Sequence, residues 1–91
     1  MATLSVQTSA ADYDTWKSVF EANEGLRRGH GATGHRVLSS GNDALVLVDF
    51  PDENSAQAMQ SDPDLRAAFQ KAGLQSTPDM RIWTESEQAQ Y

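Results

Sequence analysis

Imidazole is the side chain best matched to proton transfer near neutral pH, and this chain has two, His30 and His35. It has no cysteine, which removes thiol nucleophiles, thiolate zinc sites and disulfides together. His35 shares its strand parity with Val37. If Val37 packs beneath a helix, the imidazole enters the same space near Trp16, and His35 is therefore the candidate catalytic residue. His30 lies between Gly29 and Gly31 and reads as a solvated loop side chain. Two histidines without a carboxylate at fixed ligand spacing are weak evidence for a metal, so neither a metal nor another cofactor is expected, and haem or metal binding through a histidine stands as the weakest alternative.

The remaining polar groups are weaker candidates. Tyr13 can donate a hydrogen bond to a phenolate or enolate, although helix capping and packing explain it equally well. Arg36 and Arg81 lie at opposite sheet edges or pair across a barrel, depending on parity, with Asp49 available to neutralise either. Arg81 beside Trp83 could hold an oxyanion, but a salt bridge at a subunit interface suits it better. The string Gly29-His-Gly-Ala-Thr-Gly34 satisfies the glycine pattern of a dinucleotide-binding loop. Such a loop leaves a strand and opens a helix, whereas here a helix ends and a strand begins, so the helix dipole points away from any phosphate. Asp12-x-Asp14 and Asp62-x-Asp64 read as helix starts, where negative charge is favourable, and not as paired catalytic carboxylates.

The elements that must position these groups follow from periodicity. Thr3 to Thr8 alternates, with Leu4 and Val6 on one side, as a half-buried strand does. A helix then starts at Ser9 or Asp12 and runs to about Arg28. Tyr13, Trp16, Val19, Phe20 and Leu26 form its apolar face, and Glu24 and Arg28 pair four apart on the other. Thr33 to Ser40 is a second strand, turned by Gly41-Asn-Asp43 into a third, Ala44-Leu-Val-Leu-Val-Asp-Phe50. Pro51-Asp52 ends that strand, and Asp52 or Asn54 caps a short helix through about Ser61, in which Ala56 and Met59 face inward. Asp62-Pro63 caps a further helix carrying Leu65, Ala68, Phe69 and Ala72, closed by Gly73. Met80 to Glu85 alternates as a last strand, and residues 86–91 form a polar tail.

Strand, helix, strand, strand, helix, strand is the split βαββαβ order of an α+β, ferredoxin-like domain, with a four-stranded antiparallel sheet and all helices on one face. The run 44–50 wants cover on both faces, because Leu45 and Leu47 oppose Ala44, Val46, Val48 and Phe50. Ninety-one residues make one domain with too little chain for a second helical layer, so a homodimer is expected. Leaving three or four large aliphatics in water forfeits roughly 1.5 to 3 kcal/mol each. The net charge of −6 repels phosphate backbones and anionic lipid headgroups, which argues against nucleic acid and membrane partners. The N-terminal stretch has neither a basic start nor a long apolar run, and a soluble cytoplasmic protein is expected.

Over residues 3–85 the chain resembles the dimeric α/β-barrel superfamily, which includes antibiotic biosynthesis monooxygenases, small polyketide cyclases, muconolactone isomerases and stress-responsive barrel proteins. The resemblance lies in Asp12-Tyr-Asp-Thr-Trp-Lys17, in Ala44–Phe50 followed by Pro-Asp-Glu, and in Ser61-Asp-Pro-Asp-Leu-Arg66 leading to Ala72-Gly73. It implies a dimeric α/β barrel with a ligand held between helices and sheet. The ligand-binding candidates are then Tyr13, Trp16 and Phe20 from the first helix, Met59 and Phe69 from the later helices and Met80 from the last strand. Leu4, Val6 and Ile82 would complete the slot. The same residues can instead fill one another as ordinary core, except that Trp16 has an indole N–H that needs a partner if buried.

The family's cofactor-free oxygenases share an asparagine and a tryptophan near the substrate. Here the first strand offers Gln7 and the central strand has no tryptophan. The reading is a homodimer that binds a small apolar or aromatic molecule and is a candidate cofactor-free cyclase, isomerase or monooxygenase-like enzyme. Its rival is a non-enzymatic ligand-binding or stress-response interaction module.

Overall fold

A computed structural model describes all 91 residues. The strands are β1 (Ala2–Ser9), β2 (Gly34–Ser40), β3 (Asp43–Phe50) and β4 (Asp79–Thr84), and the helices are α1 (Tyr13–Ala22), α2 (Glu24–Gly29), α3 (Glu53–Gln60) and α4 (Pro63–Lys71). The sheet order is β2-β3-β1-β4, antiparallel throughout. This is the ferredoxin-like βαββαβ arrangement predicted from the periodicities.

Alternation decides which face each side chain takes. Leu4, Val6 and Thr8 of β1 lie opposite Val48, Val46 and Ala44 of β3, and all six are buried under the helices. On the outer strands the same face carries His35 and Val37, opposite Val48 and Val46, and Met80 and Ile82, opposite Val6 and Leu4. Trp16, Ala56, Met59, Leu65 and Ala72 close the core from above. The helices divide the sheet between them: α3 packs on β1, β3 and β4, whereas α1 meets α4. The opposite face carries Leu45, Leu47 and Asp49, half-buried, with Leu38 and Trp83 43% and 49% exposed.

The first helix differs from its predicted form. It is not continuous to Arg28 but breaks at Asn23 into α1 and α2. The Asn23 side chain donates from Nδ2 to the Val19 carbonyl at 2.8 Å, the local side-chain bond by which asparagine competes with the helical ladder. Its own carbonyl accepts from both Leu26 and Arg27. The start is as expected: Asp12 accepts from the Thr15 N–H at 3.0 Å. Asp52 caps α3 through the Ser55 N–H at 2.8 Å, and Asp62, with Pro63 after it, caps α4 through the Asp64 N–H at 2.8 Å. Gly41 turns the β2–β3 hairpin and Gly73 ends the last helical layer, both with positive φ, at 60° and 68°.

Candidate functional site

Between α1, α2 and α4 above and β1 and β3 below lies an apolar cavity of about 60 Å³. Trp16, Phe20 and Leu26 form one wall, Met59, Leu65 and Phe69 another, and Val6, Val46 and Val48 the floor. Space of that size admits a few waters and falls short of a multi-ring ligand, so a larger molecule needs the half-buried Phe20 and Phe69 to turn aside.

Phe20 is the hub of the site. It stacks on Trp16 with ring centroids 5.4 Å apart, and His35 meets its edge at 5.1 Å and 76°. The Arg27 guanidinium lies over the ring, 3.8 Å from its centroid. His35 lines not the cavity itself but an adjoining polar recess of about 300 Å³ between α2 and the start of β2, with Glu24, Arg27, Arg28, Thr33 and Gly34. Arg27 and Val48 belong to both spaces. The arrangement therefore has a small apolar, aromatic-walled end and a polar end holding cations and an imidazole.

Of the residues singled out in the sequence, Trp16, Phe20, Met59 and Phe69 line the cavity. Tyr13 sits behind, its ring 5.6 Å from that of Trp16. Met80 packs on the core from β4, on the part of the sheet that α3 covers. The Trp16 indole N–H is not stranded in the core, because Thr8 Oγ1 is the one sealed side-chain polar atom without a partner. Arg36 and Arg81 lie on the uncovered face at opposite edges, opposite Leu47 and Ser5. Asp49 neutralises neither and accepts instead from the Thr3 hydroxyl at 2.8 Å.

His30 is not a solvated loop residue. It is half-buried and its Nε2 lies 2.7 Å from Asp62 Oδ2, tying the end of α2 to the cap of α4. That bond, followed by the one from the Asp64 N–H, holds the Asp62 carboxyl below its ordinary value. No three His, Cys, Asp or Glu side chains converge to hold a metal ion, and no helix is long and apolar enough to cross a membrane.

Arg27 went unnoticed in the sequence and is 95% buried, by a relative exposure of 5%. Its Nη1 donates to the Phe20 carbonyl at 2.7 Å. No carboxylate pairs with it, and Glu24 is engaged with Arg28 at 3.4 Å. Burial pulls its pKa below the ordinary arginine value, with Glu24 opposing. The missed signal was spacing: Trp16, Phe20 and Arg27 stand at i, i+4 and i+11, a cation in register with the apolar stripe.

Solved structures of the same shape supply the comparison. SnoaB, a cofactor-independent oxygenase from Streptomyces nogalater, superposes with a TM-score of 0.76 at 15% identity, covering 96% of this chain and 93% of that one. A monooxygenase of Streptomyces coelicolor in complex with nanaomycin D gives 0.73 at 15% identity, covering 99% and 91%. A protein of unknown function from Nitrosomonas europaea gives 0.77 at 20% identity, covering 99% and 93%. The chain has the fold of the antibiotic biosynthesis monooxygenases. No protein-family model matches the sequence, and no curated protein sequence matches it significantly.

Proposed function

We propose that the protein is a homodimer that binds a small aromatic molecule between its helices and sheet and transforms it without a cofactor, in a monooxygenase-like, cyclase or isomerase reaction. The observation that carries this reading is the aromatic-walled cavity that adjoins, through Arg27 and Val48, the recess holding His35. His35 serves as the proton-transfer group, taking a proton from a phenol or enol whose rings rest against Trp16 and Phe20. Removal of that proton makes the ring system electron-rich, the state from which cyclisation, isomerisation and reaction with oxygen can all proceed. The likeness in shape to a cofactor-independent oxygenase, and to a monooxygenase solved with nanaomycin D, supports the same class of reaction.

The dimer is part of the proposal. Leu38, Leu45, Leu47 and Trp83 leave the uncovered sheet face in need of a layer, and a second copy supplies it. The second reading, a ligand-binding or stress-response module without turnover, draws support from the small cavity volume.

The test is a thermal-shift screen of phenolic and polyketide-like aromatic compounds, nanaomycin D included, followed by product analysis of each compound that binds. At least one is expected to raise the melting temperature and be consumed by wild type, while His35→Ala binds it and turns it over at least a hundredfold more slowly. A compound bound by both proteins and altered by neither would favour the module. No binding across the screen would remove the reading.

A further inference from the structure

A guanidinium has five N–H donors and cannot shed its charge at physiological pH, so burying one calls for several acceptors and an anion. Arg27 is buried at the junction of the cavity and the recess, with one hydrogen bond, to the Phe20 carbonyl, and no carboxylate partner. The one acid lining the recess, Glu24, is paired with Arg28. A stacked phenyl ring only partly replaces an anion. The site thus holds a largely buried cation with no acid paired to it, at the edge of an open recess, in a protein whose net charge is −6.

We propose that Arg27 is an anion receptor, and that the recess between α2 and β2 takes the carboxylate, phenolate or enolate oxygen of an aromatic ligand whose rings enter the apolar cavity. This rests on the aromatic-slot reading above and specifies the substrate class: aromatic compounds carrying an acidic oxygen, in preference to neutral ones. The planar fork suits a carboxylate or a pair of ring oxygens, and Arg28 on the same recess adds a second positive charge. His35 lines the same recess. A ligand entering as a neutral phenol or enol transfers its O–H proton to the imidazole, and the oxygen keeps the electron pair as an anion against Arg27. A carboxylate arrives already ionised and needs no transfer.

The experiment compares 2-naphthoate with its neutral isostere 2-naphthamide by isothermal titration of the full chain at pH 7 and low salt. Wild type is expected to bind the naphthoate at least tenfold more tightly. Arg27→Gln is expected to lose that preference while its affinity for the amide stays within threefold. Arg27→Lys, which keeps the charge and loses the fork, is expected to retain part of it. Should Arg27→Gln fail to fold, the wild-type ratio and the lysine variant still decide. Equal binding of both probes by wild type overturns the anion receptor and leaves the aromatic slot standing. So does a preference that survives Arg27→Gln or disappears in Arg28→Gln instead. If wild type binds neither probe at millimolar concentration, the receptor and the slot fall together.

Discussion

A single hydroxyl illustrates how narrowly this core is specified. Thr8 is 3% exposed, and its Oγ1 finds neither donor nor acceptor within hydrogen-bond range. Valine has the same shape and strand preference without the desolvated oxygen. Thr8→Val is therefore expected to stabilise the protein by about 1 kcal/mol, read as a higher denaturant midpoint at unchanged slope. A fall in midpoint would mean that the hydroxyl has a partner that the geometry does not include.

The same scale shows what the sequence conceals. Trp16 and Phe20 are legible as residues that line the space between helices and sheet because aromatic side chains at helical spacing face the sheet. Arg27 is not, since pattern reading assigns charged residues to solvent and the neighbouring Glu24–Arg28 pair explains the local charge. His30 misleads for a related reason: flanking glycines suggest exposure, but its partner Asp62 is 32 residues away and only the fold brings them together.

At the level of helices and turns, the two kinds of glycine make opposite predictions. Gly73 holds φ at +68° with open space where a Cβ would go, so alanine there meets only backbone strain. Gly73→Ala is expected to cost about 1 kcal/mol. Gly25 sits inside α2 without a positive φ and with equal room, and Gly25→Ala is expected to add about 0.5 to 1 kcal/mol. Paired denaturation curves check both, and effects of the same sign would contradict the assigned backbone conformations.

Three helices start on an aspartate whose carboxyl is held below its ordinary value of 3.8: Asp12 chiefly by the Thr15 hydroxyl, Asp52 by the Ser55 N–H and Asp62 by His30. On acidification the unfolded chain takes up these protons first. The stabilisation is complete above the ordinary carboxyl value and drains as pH falls through the depressed ones. Urea midpoints should therefore drop between pH 5 and pH 3. A triple variant with Asp12→Asn, Asp52→Asn and Asp62→Asn keeps capping groups that do not titrate, and is expected to show a shallower decline. These caps were legible in the sequence because Asp-x-x-Thr, Asp-x-x-Ser and Asp-Pro carry their partners locally. The break at Asn23 was not, because it depends on whether a side chain or the backbone wins the Val19 carbonyl.

The whole molecule is a thin slab, 34 × 32 × 19 Å between Cα extremes, as one sheet under one helical layer must be. Its order of elements was readable from period-2 and period-3.6 patterns, as was the inward face of the first and last strands, whereas His35 and Arg36 beside Val37 and Leu38 left the parity of the second strand open. Where the cavity lies was not readable. It follows from α3 covering β4 and β1 while α1 and α4 meet over the other half of the sheet, which leaves Met80 and the Tyr13 ring away from its walls.

The slab leaves one face of its sheet without a helical layer. Its uncovered face spans on the order of 1,000 Å², enough for a standard interface of about 800 Å² per partner. Across it Leu38 lies opposite Leu45 and Arg36 opposite Leu47, with Asp79 and Arg81 on the far edge. A two-fold axis lets such a face meet itself, apolar centre on apolar centre and the arginines of one copy near the acids of the other. The protein is expected to sediment as two chains at micromolar concentration. Leu45→Glu places a carboxylate at the centre of that face without touching the helix-side core. It is expected to sediment as one chain with unchanged far-ultraviolet circular dichroism and a lower melting temperature. Wild type running as a single chain at that concentration would leave Leu45, Leu47 and Trp83 facing water and would remove the second layer from the fold.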